Sequence, residues 1–593
     1  MIEHERRESI SENGVLLGAL LLGVAGLALY LVVARLHIRP SQLVEGALYL
    51  LIGLAAVAVP IFRKLHDPGM RKKRDPFVLP ARQDDKRVAD AWSMNAVLLG
   101  FDMTFEPWTW PDHVRTMQSV VVGMSGSGKT TLLENIATQD IARWIGTPSD
   151  PKRVPMVIFD GKGDLEFFNR LVPHVHRAGR LGQLRLLNPS RPDLSCLYNP
   201  FYAPDDDYMA AVGMIFGSFN LHDEFFAKHQ LNYLGDVVRV LFYTGKRYSF
   251  YDVIVMLLDE VVLAEQIEKA TARINRDEAV SPEQRLNFEM SVKNLLKSLS
   301  DRERIPKIQG LVNECMTFLD DDLSRVTGQY DDLLSIDQVI DQQLILFVSL
   351  NINKKTEAVR SLGKMLLQNI QLCVGKRYES QEAAQRGGHG FFSIILDEFS
   401  PFGYRNFSRI LNTARGAETA FLFSLQSLPQ LAEVGRGFAE DISSAPNTTI
   451  AMRTRDETTA QYFIKASAEH TVTKRSVMKE RAFFGLGKYR ETGRATERED
   501  RETRSQDESI KNLPKGIAEI LMSDDTAGTR HGKIMVRPPR DVTIPGFTPR
   551  LFPRLIHSLT DSTGANLRFK QPGRKEEQHV PNRDRLHTGG FHR

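Results

Sequence analysis

A glycine run ending in one lysine, and two adjacent carboxylates far down the chain, carry the chemistry of this sequence. Gly123-Met124-Ser125-Gly126-Ser127-Gly128-Lys129-Thr130 fits G-x-x-x-x-G-K-[ST], the Walker A pattern. Gly123, Gly126 and Gly128 let the backbone take strained dihedrals and approach a phosphate closely. Successive N–H groups, those of Ser127 and Thr131 among them, then face the anion, helped by the N-terminus of the helix that follows. Lys129 is placed to reach the β and γ phosphates of ATP, and Thr130 to offer its hydroxyl to Mg2+. Phe391-Phe392-Ser393-Ile394-Ile395-Leu396-Asp397-Glu398 is the complementary Walker B pattern, an apolar strand with two carboxylates at its tip. Asp397 would hold Mg2+ through water, and Glu398 would polarise the attacking water. The expected reaction is ATP hydrolysis. A glycine-rich turn that matches by accident is the alternative; strand, loop and helix in the required order speak against it.

These groups meet only if strands deliver them. Ser119–Val122, Val154–Phe159, Leu344–Leu350 and Thr419–Leu425 are short apolar runs, which suits buried parallel strands. Thr131–Ala137 and Ala358–Tyr378 read as helices. In open α/β sheets the ligand crevice lies at the carboxyl ends of the strands. Asp160, after Val154–Phe159, is therefore expected beside the nucleotide. Gln426, after Thr419–Leu425, suits a γ-phosphate sensor. A solvated turn carboxylate and a surface glutamine are the plainer alternatives. Trp108 and Trp110 either stack on an adenine or, as is commoner, pack internally. From about Asp205 to Asp337 helical spacing prevails without convincing strands, so an all-α insertion is expected.

The N-terminus reads as a membrane hairpin. Residues 14–34 are apolar and uncharged, and residues 43–62 carry one charge, Glu45. Each run is long enough to cross a bilayer, which takes about 20 residues. Met1–Glu8 mixes acidic and basic residues, unlike the basic start of a cleaved signal. Arg63, Lys64, Arg71, Lys72, Lys73 and Arg74 crowd the exit of the second span, against Arg35 and Arg39 in the loop between the spans. Positive-inside then puts that exit, and with it the N-terminus, in the cytoplasm. The expected parts are a cytoplasmic N-terminus (1–13), the transmembrane hairpin (14–62), a basic linker (63–90), a nucleotide-binding domain in two pieces (91–204 and 338–545) split by the all-α domain (205–337), and a polar tail (546–593). A net charge of +4 over 593 residues does not by itself indicate nucleic acid, while 42% hydrophobic content supports real cores. Cys196, Cys315 and Cys373 lie far apart, so neither a disulfide framework nor a zinc site is suggested.

The sequence resembles the coupling ATPases of type IV secretion and conjugation, the TraG/TraD family. The features that carry the resemblance are Gly123–Thr130, Asp160-Gly161-Lys162-Gly163-Asp164, Asn199-Pro200-Phe201, Leu396-Asp397-Glu398, Ser424-Leu425-Gln426-Ser427-Leu428-Pro429-Gln430 and Arg453-Thr454-Arg455-Asp456-Glu457-Thr458-Thr459-Ala460. They span roughly residues 14–540, and the order of parts is similar too. The resemblance implies an α/β fold: a RecA-like P-loop NTPase domain of the FtsK/HerA type, with an inserted all-α domain and the N-terminal two-helix hairpin. It implies a homo-hexamer at the bacterial inner membrane, bulk and both termini cytoplasmic, with ATP and Mg2+ as cofactors. The implied partners are single-stranded DNA bound without sequence preference, relaxase and relaxosome proteins, and the secretion channel. It further implies that Arg415, in the run Ile410–Gly416 that ends a helix, completes a neighbouring subunit's site. Two features depart from the family pattern. The segment between the spans is short, and Met117 stands near the place of an arginine that members carry before the Walker A strand, with Arg115 two residues off.

Toward the C-terminus, Lys488–Glu508 alternates signs densely, with Glu497 and Arg501 at helical spacing, and reads as a solvated helix or loop. Gly516–Met522 and Lys533–Arg537 read as strands that close the sheet. Beyond about Phe569 the tail is polar and without core-forming pattern. An FtsK-type duplex translocase and a membrane docking receptor are the competing functions. The former usually shows four spans and a small DNA-reading domain, and the latter has no need of Lys129, Asp397, Glu398 and Gln426 together. No L-S-G-G-Q-like run points to an ABC transporter.

Overall fold

The computed structural model describes residues 81–542, apart from 204–206, 222–223, 353–355, 380–389, 405, 435–437, 468, 482–488, 504–509 and 526–527, together with residues 564–570. The expected membrane hairpin lies outside the described residues. Among the described residues no helix is long and apolar enough to cross a membrane.

In chain order the strands are β1 (Ala96–Asp102), β2 (Pro107–Pro111), β3 (Ser119–Val122), β4 (Trp144–Thr147), β5 (Asp150–Arg153), β6 (Met156–Asp160) and β7 (Leu184–Leu187). After a helical stretch come β8 (Ile345–Ser349), β9 (Phe392–Asp397), β10 (Thr419–Leu425), β11 (Thr448–Ala451), β12 (Glu469–Arg481), β13 (Tyr489–Thr503), β14 (Ile517–Asp524) and β15 (Gly528–Val536). Among the described residues one sheet has eleven strands, in the order β2-β1-β15-β14-β11-β3-β10-β9-β6-β8-β7. From β11 to β7 neighbouring strands are parallel. From β11 outward through β14, β15, β1 and β2 they are antiparallel.

Every residue of β3, β6, β8, β9 and β10 is buried. Both faces of these strands are covered, which is why they read as unbroken apolar runs. Successive side chains still part to opposite faces. Val157, Phe159, Ile394, Leu396, Phe421 and Phe423 enter a core shared with the helical insertion. Met156, Ile158, Ile395 and Leu422 enter a second core beneath the helices Lys129–Ala142 and Glu166–Arg177.

The helix Lys129–Ala142 is fixed to β1 by polar side chains. Strand β1 slips register between Leu98 and Gly100. The amide of Leu98 donates to Gln139 Oε1 at 2.9 Å, and its carbonyl accepts from Gln139 Nε2 at 2.9 Å and Asn135 Nδ2 at 2.8 Å. The bulge thus leaves no buried backbone group of Leu98 unpaired.

Between β7 and β8 the described chain is helical, from Tyr208–Ser218 through Ile336–Asp341. Several of its helix starts are written in the sequence. Ser281 with Gln284, and Ser335 with Gln338, form reciprocal capping boxes. A short piece of the tail docks on this part. Leu567 is buried, and its amide donates to Asp252 Oδ1 at 2.8 Å, while Tyr330 Oη donates to Asp252 Oδ2 at 2.9 Å. The amides of Ala565 and Lys570 donate to the Arg247 carbonyl and to Asp259 Oδ2, each at 2.7 Å.

Two expectations are corrected, and the two tryptophans take the commoner of their two readings. Ala81–Ser93 is a helix, where the sequence suggests linker as far as residue 90. Asp84 on that helix accepts from Arg537 Nε at 2.7 Å and Nη2 at 2.6 Å, so an ion pair beyond β15 holds it in place. Residues 489–503 form a strand, not a helix or loop: β13 pairs antiparallel with β12, with Arg475 in register with Glu497 and Glu480 with Arg490. Trp108 and Trp110 are buried in β2, five strands away from β3. At about 4.8 Å per strand that is far beyond stacking distance from the glycine loop. Trp108 instead packs under the Arg530 guanidinium, 3.7 Å from the ring centroid.

Candidate nucleotide site

The glycine loop leaves β3 at Val122 and enters its helix at Lys129. Gly123 N donates to the Leu425 carbonyl at 3.1 Å and Met124 N to the Arg453 carbonyl at 2.8 Å, so strands on both sides fix the loop's root. A Cβ on Gly123 would lie 2.8 Å from Met452 Cβ, a distance only glycine avoids. Gly128, the helix N-cap, has φ 112, in the left-handed region. No side chain caps the helix's first turn. Its N–H groups, Thr131's included, are left for an anion, and the helix dipole favours one. Ser127 Oγ is buried in the same loop without a hydrogen-bond partner.

Lys129 is buried and donates to the carbonyls of Gly123 and, at 3.4 Å, Met124. Burial pulls its pKa below the ordinary lysine value. Thr130 Oγ1 lies 3.4 Å from Asp397 Oδ2, which joins the glycine loop to the Walker B strand. The other oxygen of Asp397, Oδ1, is buried with no hydrogen-bond partner. Asp160 stands in register with Asp397 on the adjacent strand. Its Oδ1 accepts from Lys162 N at 3.0 Å, and its Oδ2 is buried and unpartnered. Burial, reinforced by the charges of Asp397 and Asp164, pushes the Asp160 pKa up to about 6.

Glu398 follows Asp397 with φ 57, the left-handed region that residues with a Cβ seldom visit. Gln426 follows directly on β10, the strand between β3 and β9, and its Nε2 donates to both oxygens of Glu398 at 3.0 Å. The structure therefore gathers Lys129, Thr130, Asp160, Asp397, Glu398 and Gln426 at one edge of the sheet. Arg415 is not among them. It follows the helix Phe407–Ala414, and its carbonyl accepts from Glu418 N, while the Glu418 carbonyl accepts from Phe392 N at the start of β9. It is thus at the opposite end of β9 from Asp397, more than half exposed, and paired with Asp525.

Arg115, two residues from the family position, is taken up by structure. Its Nη2 donates to Asp140 Oδ2 at 2.6 Å and its Nη1 to Asp112 Oδ1 at 3.1 Å. Two groups in the site receive no role from the sequence alone. Lys162 Nζ lies 3.2 Å from Thr130 Oγ1 and 3.4 Å from Asp397 Oδ2. Arg453 borders the glycine loop, and its Nε is buried without a hydrogen-bond partner. The one signal of each in the sequence is its place in Asp160–Asp164 or Arg453–Ala460.

Fold and site together define a P-loop protein of the mixed-sheet α/β kind. Residues 152–506 match the family described as Type IV secretory system Conjugative DNA transfer, and the chain belongs to that family. No curated protein matches the sequence. Among solved structures, the unbound monoclinic form of the bacterial conjugative coupling protein TrwBdeltaN70 is 15% identical, with TM-score 0.52, over 73% of this chain and 88% of that one. The plasmid coupling protein TrwB in complex with ADP and Mg2+ is 14% identical, with TM-score 0.50, over 78% of this chain and 94% of that one. At such identities the likeness is one of fold.

Proposed function

We propose that the chain is an ATP-driven coupling motor of the bacterial inner membrane. It receives a relaxase–DNA complex and feeds single-stranded DNA to a type IV secretion channel during conjugation. The observation that carries this reading is the meeting of Lys129, Thr130, Asp397, Glu398 and Gln426 at one sheet edge, in a chain of the conjugative DNA transfer family.

Buried, unpartnered oxygens at Asp160 and Asp397 suit a hard cation held between protein and phosphates. Thr130 and Asp397 would hold Mg2+, which supplies charge to offset the phosphates. TrwB, similar in fold, is known in complex with ADP and Mg2+, which supports these as the cofactors. The loop N–H groups and Lys129 bind and orient the phosphates. Glu398, aimed by Gln426, takes a proton from the water whose oxygen attacks the γ-phosphorus as the bond to the ADP oxygen breaks.

Residues 14–34 and 43–62 anchor the chain as a two-span hairpin, with both termini in the cytoplasm where ATP is. The working form is a homo-hexamer, and Arg415, unused by its own subunit's site, reaches the site of a neighbour. The test is hydrolysis by the full chain in detergent. Single-stranded DNA should raise the rate, and its binding should weaken steeply with salt, by about 0.7 in log–log slope per phosphate neutralised. Hexamers whose hydrolysis ignores DNA would move the function to a docking receptor.

A further inference from the structure

We propose that Lys162 is a built-in counter-cation that sits in the divalent-metal position of this site and must leave it when the metal enters. The proposal rests on the nucleotide–Mg2+ reading of the site. Lys162 Nζ lies 3.2 Å from Thr130 Oγ1 and 3.4 Å from Asp397 Oδ2. These are the groups that reading gives to the metal, and the two oxygens are themselves 3.4 Å apart. The ammonium closes a triangle on them. An ammonium and a hard divalent cation compete for such a place, because both are positive and both take the same oxygen lone pairs.

The setting suits a charge that comes and goes. Asp160 and Asp397 stand side by side in register at the tips of β6 and β9, so a positive charge beside them is favourable at every stage. The backbone that carries Lys162 is held: Gly163 has φ 68, and a Cβ there would lie 2.5 Å from Asn351 Cβ. The side chain is not enclosed. It is 43% exposed, whereas Lys129 is buried against its own loop. Lys162 therefore has a way out to solvent that Lys129 lacks. Metal binding becomes an exchange of one cation for another, and the site holds metal weakly until nucleotide phosphates add negative charge. The metal's residence is conditional on the nucleotide.

The full chain is titrated with Mn2+ alone, bound ion being read by electron paramagnetic resonance, and a fluorescent ATP analogue in EDTA reads nucleotide binding separately. Lys162→Met and Lys162→Gln remove the charge and, on an exposed side chain, open no core cavity; a melting curve checks each, and either one suffices. Mn2+ affinity is expected to rise by about tenfold or more in these variants, because the competing charge is gone. It should return toward the wild-type value in Lys162→Arg, and be lost when Asp397→Asn is added. Mn2+ affinity within about twofold of wild type, or undetectable Mn2+ binding, in a folded variant that binds the analogue overturns the proposal. A wild-type chain that does not bind the analogue overturns the nucleotide reading beneath it, and the proposal with it.

Discussion

The carboxamide of Gln426 donates to both carboxylate oxygens of Glu398, at 3.0 Å each, from the strand that separates the Walker A and Walker B strands. Glu398 is thus aimed twice, by a left-handed backbone at the strand tip and by an amide beside it. Gln426 acts on the carboxylate first, whatever it does toward a phosphate.

Glu398→Gln should leave ATP bound while kcat falls by about 10²–10⁴-fold, the usual worth of a general base. Gln426→Ala should lower kcat by a smaller factor, about tenfold or more, with ATP affinity nearly unchanged. Steady-state hydrolysis beside equilibrium nucleotide binding separates the two. A wild-type kcat in Glu398→Gln would remove Glu398 from the role of base.

Lys129→Ala should behave differently, since Lys129 orients the phosphates themselves. Nucleotide binding and hydrolysis should fall together, with a raised KM as well as a lowered kcat. Retained affinity with only kcat lost would mean that the loop's N–H groups suffice for binding.

Asp140 is the test of what ties the end of the helix Lys129–Ala142 to the start of β9. It is buried between Arg115 and Arg143, and Ser393 of β9 donates to it at 2.9 Å. Burial opposes its ionisation, but the two guanidinium groups outweigh burial and hold its pKa down to about 2, against 3.8 ordinarily. With the folded value depressed, the stabilisation is complete above the unfolded pKa and is lost as pH falls from 3.8 through about 2. Asp140→Asn leaves two buried arginines short of a partner and should cost about 3–5 kcal/mol at neutral pH. Melting temperatures of variant and wild type should converge below about pH 4. A constant gap across that range would show that the loss is one of packing.

Arg415→Ala and Lys129→Ala should each be inactive alone. Mixed in one ring, some interfaces pair an intact Lys129 site with an intact Arg415 donor, and hydrolysis should recover in part. An arginine supplied in trans is worth about 10³–10⁵ in rate among related NTPases. Full activity in Arg415→Ala, with a loss of only about 0.3–1 kcal/mol in stability, would reduce Arg415 to a charge at a helix C-terminus.

The parallel half of the sheet is legible in the sequence because burial on both faces turns each strand into an unbroken apolar run. Polar residues that follow such runs, Asp160, Asp397 and Gln426, are legible as crevice residues because strand ends are. Contacts between them are another matter. That Gln426 meets Glu398 depends on β10 lying beside β9, and that Lys162 meets Thr130 depends on the loop after β6 reaching the start of the glycine-loop helix. Strand β13 is hidden for a related reason. A strand so rich in charge is defined by its partner, and Glu497 and Arg501 satisfy helical spacing while Glu497 in fact stands in register with Arg475 across the ribbon. Arg115 looks misplaced by two residues until Asp140 and Asp112 appear around it.

The docking of Gly564–Lys570 has a bearing on how the chain is handled. Any truncation made just after β15, at the natural end of the sheet, removes the donor that Asp252 takes from Leu567 and strips Leu567 from the helical core. The cut would lie in one part of the molecule and the damage in another, more than two hundred residues upstream in the chain. A fragment meant to isolate the motor needs the segment as far as Lys570, and a fusion partner is best placed beyond it.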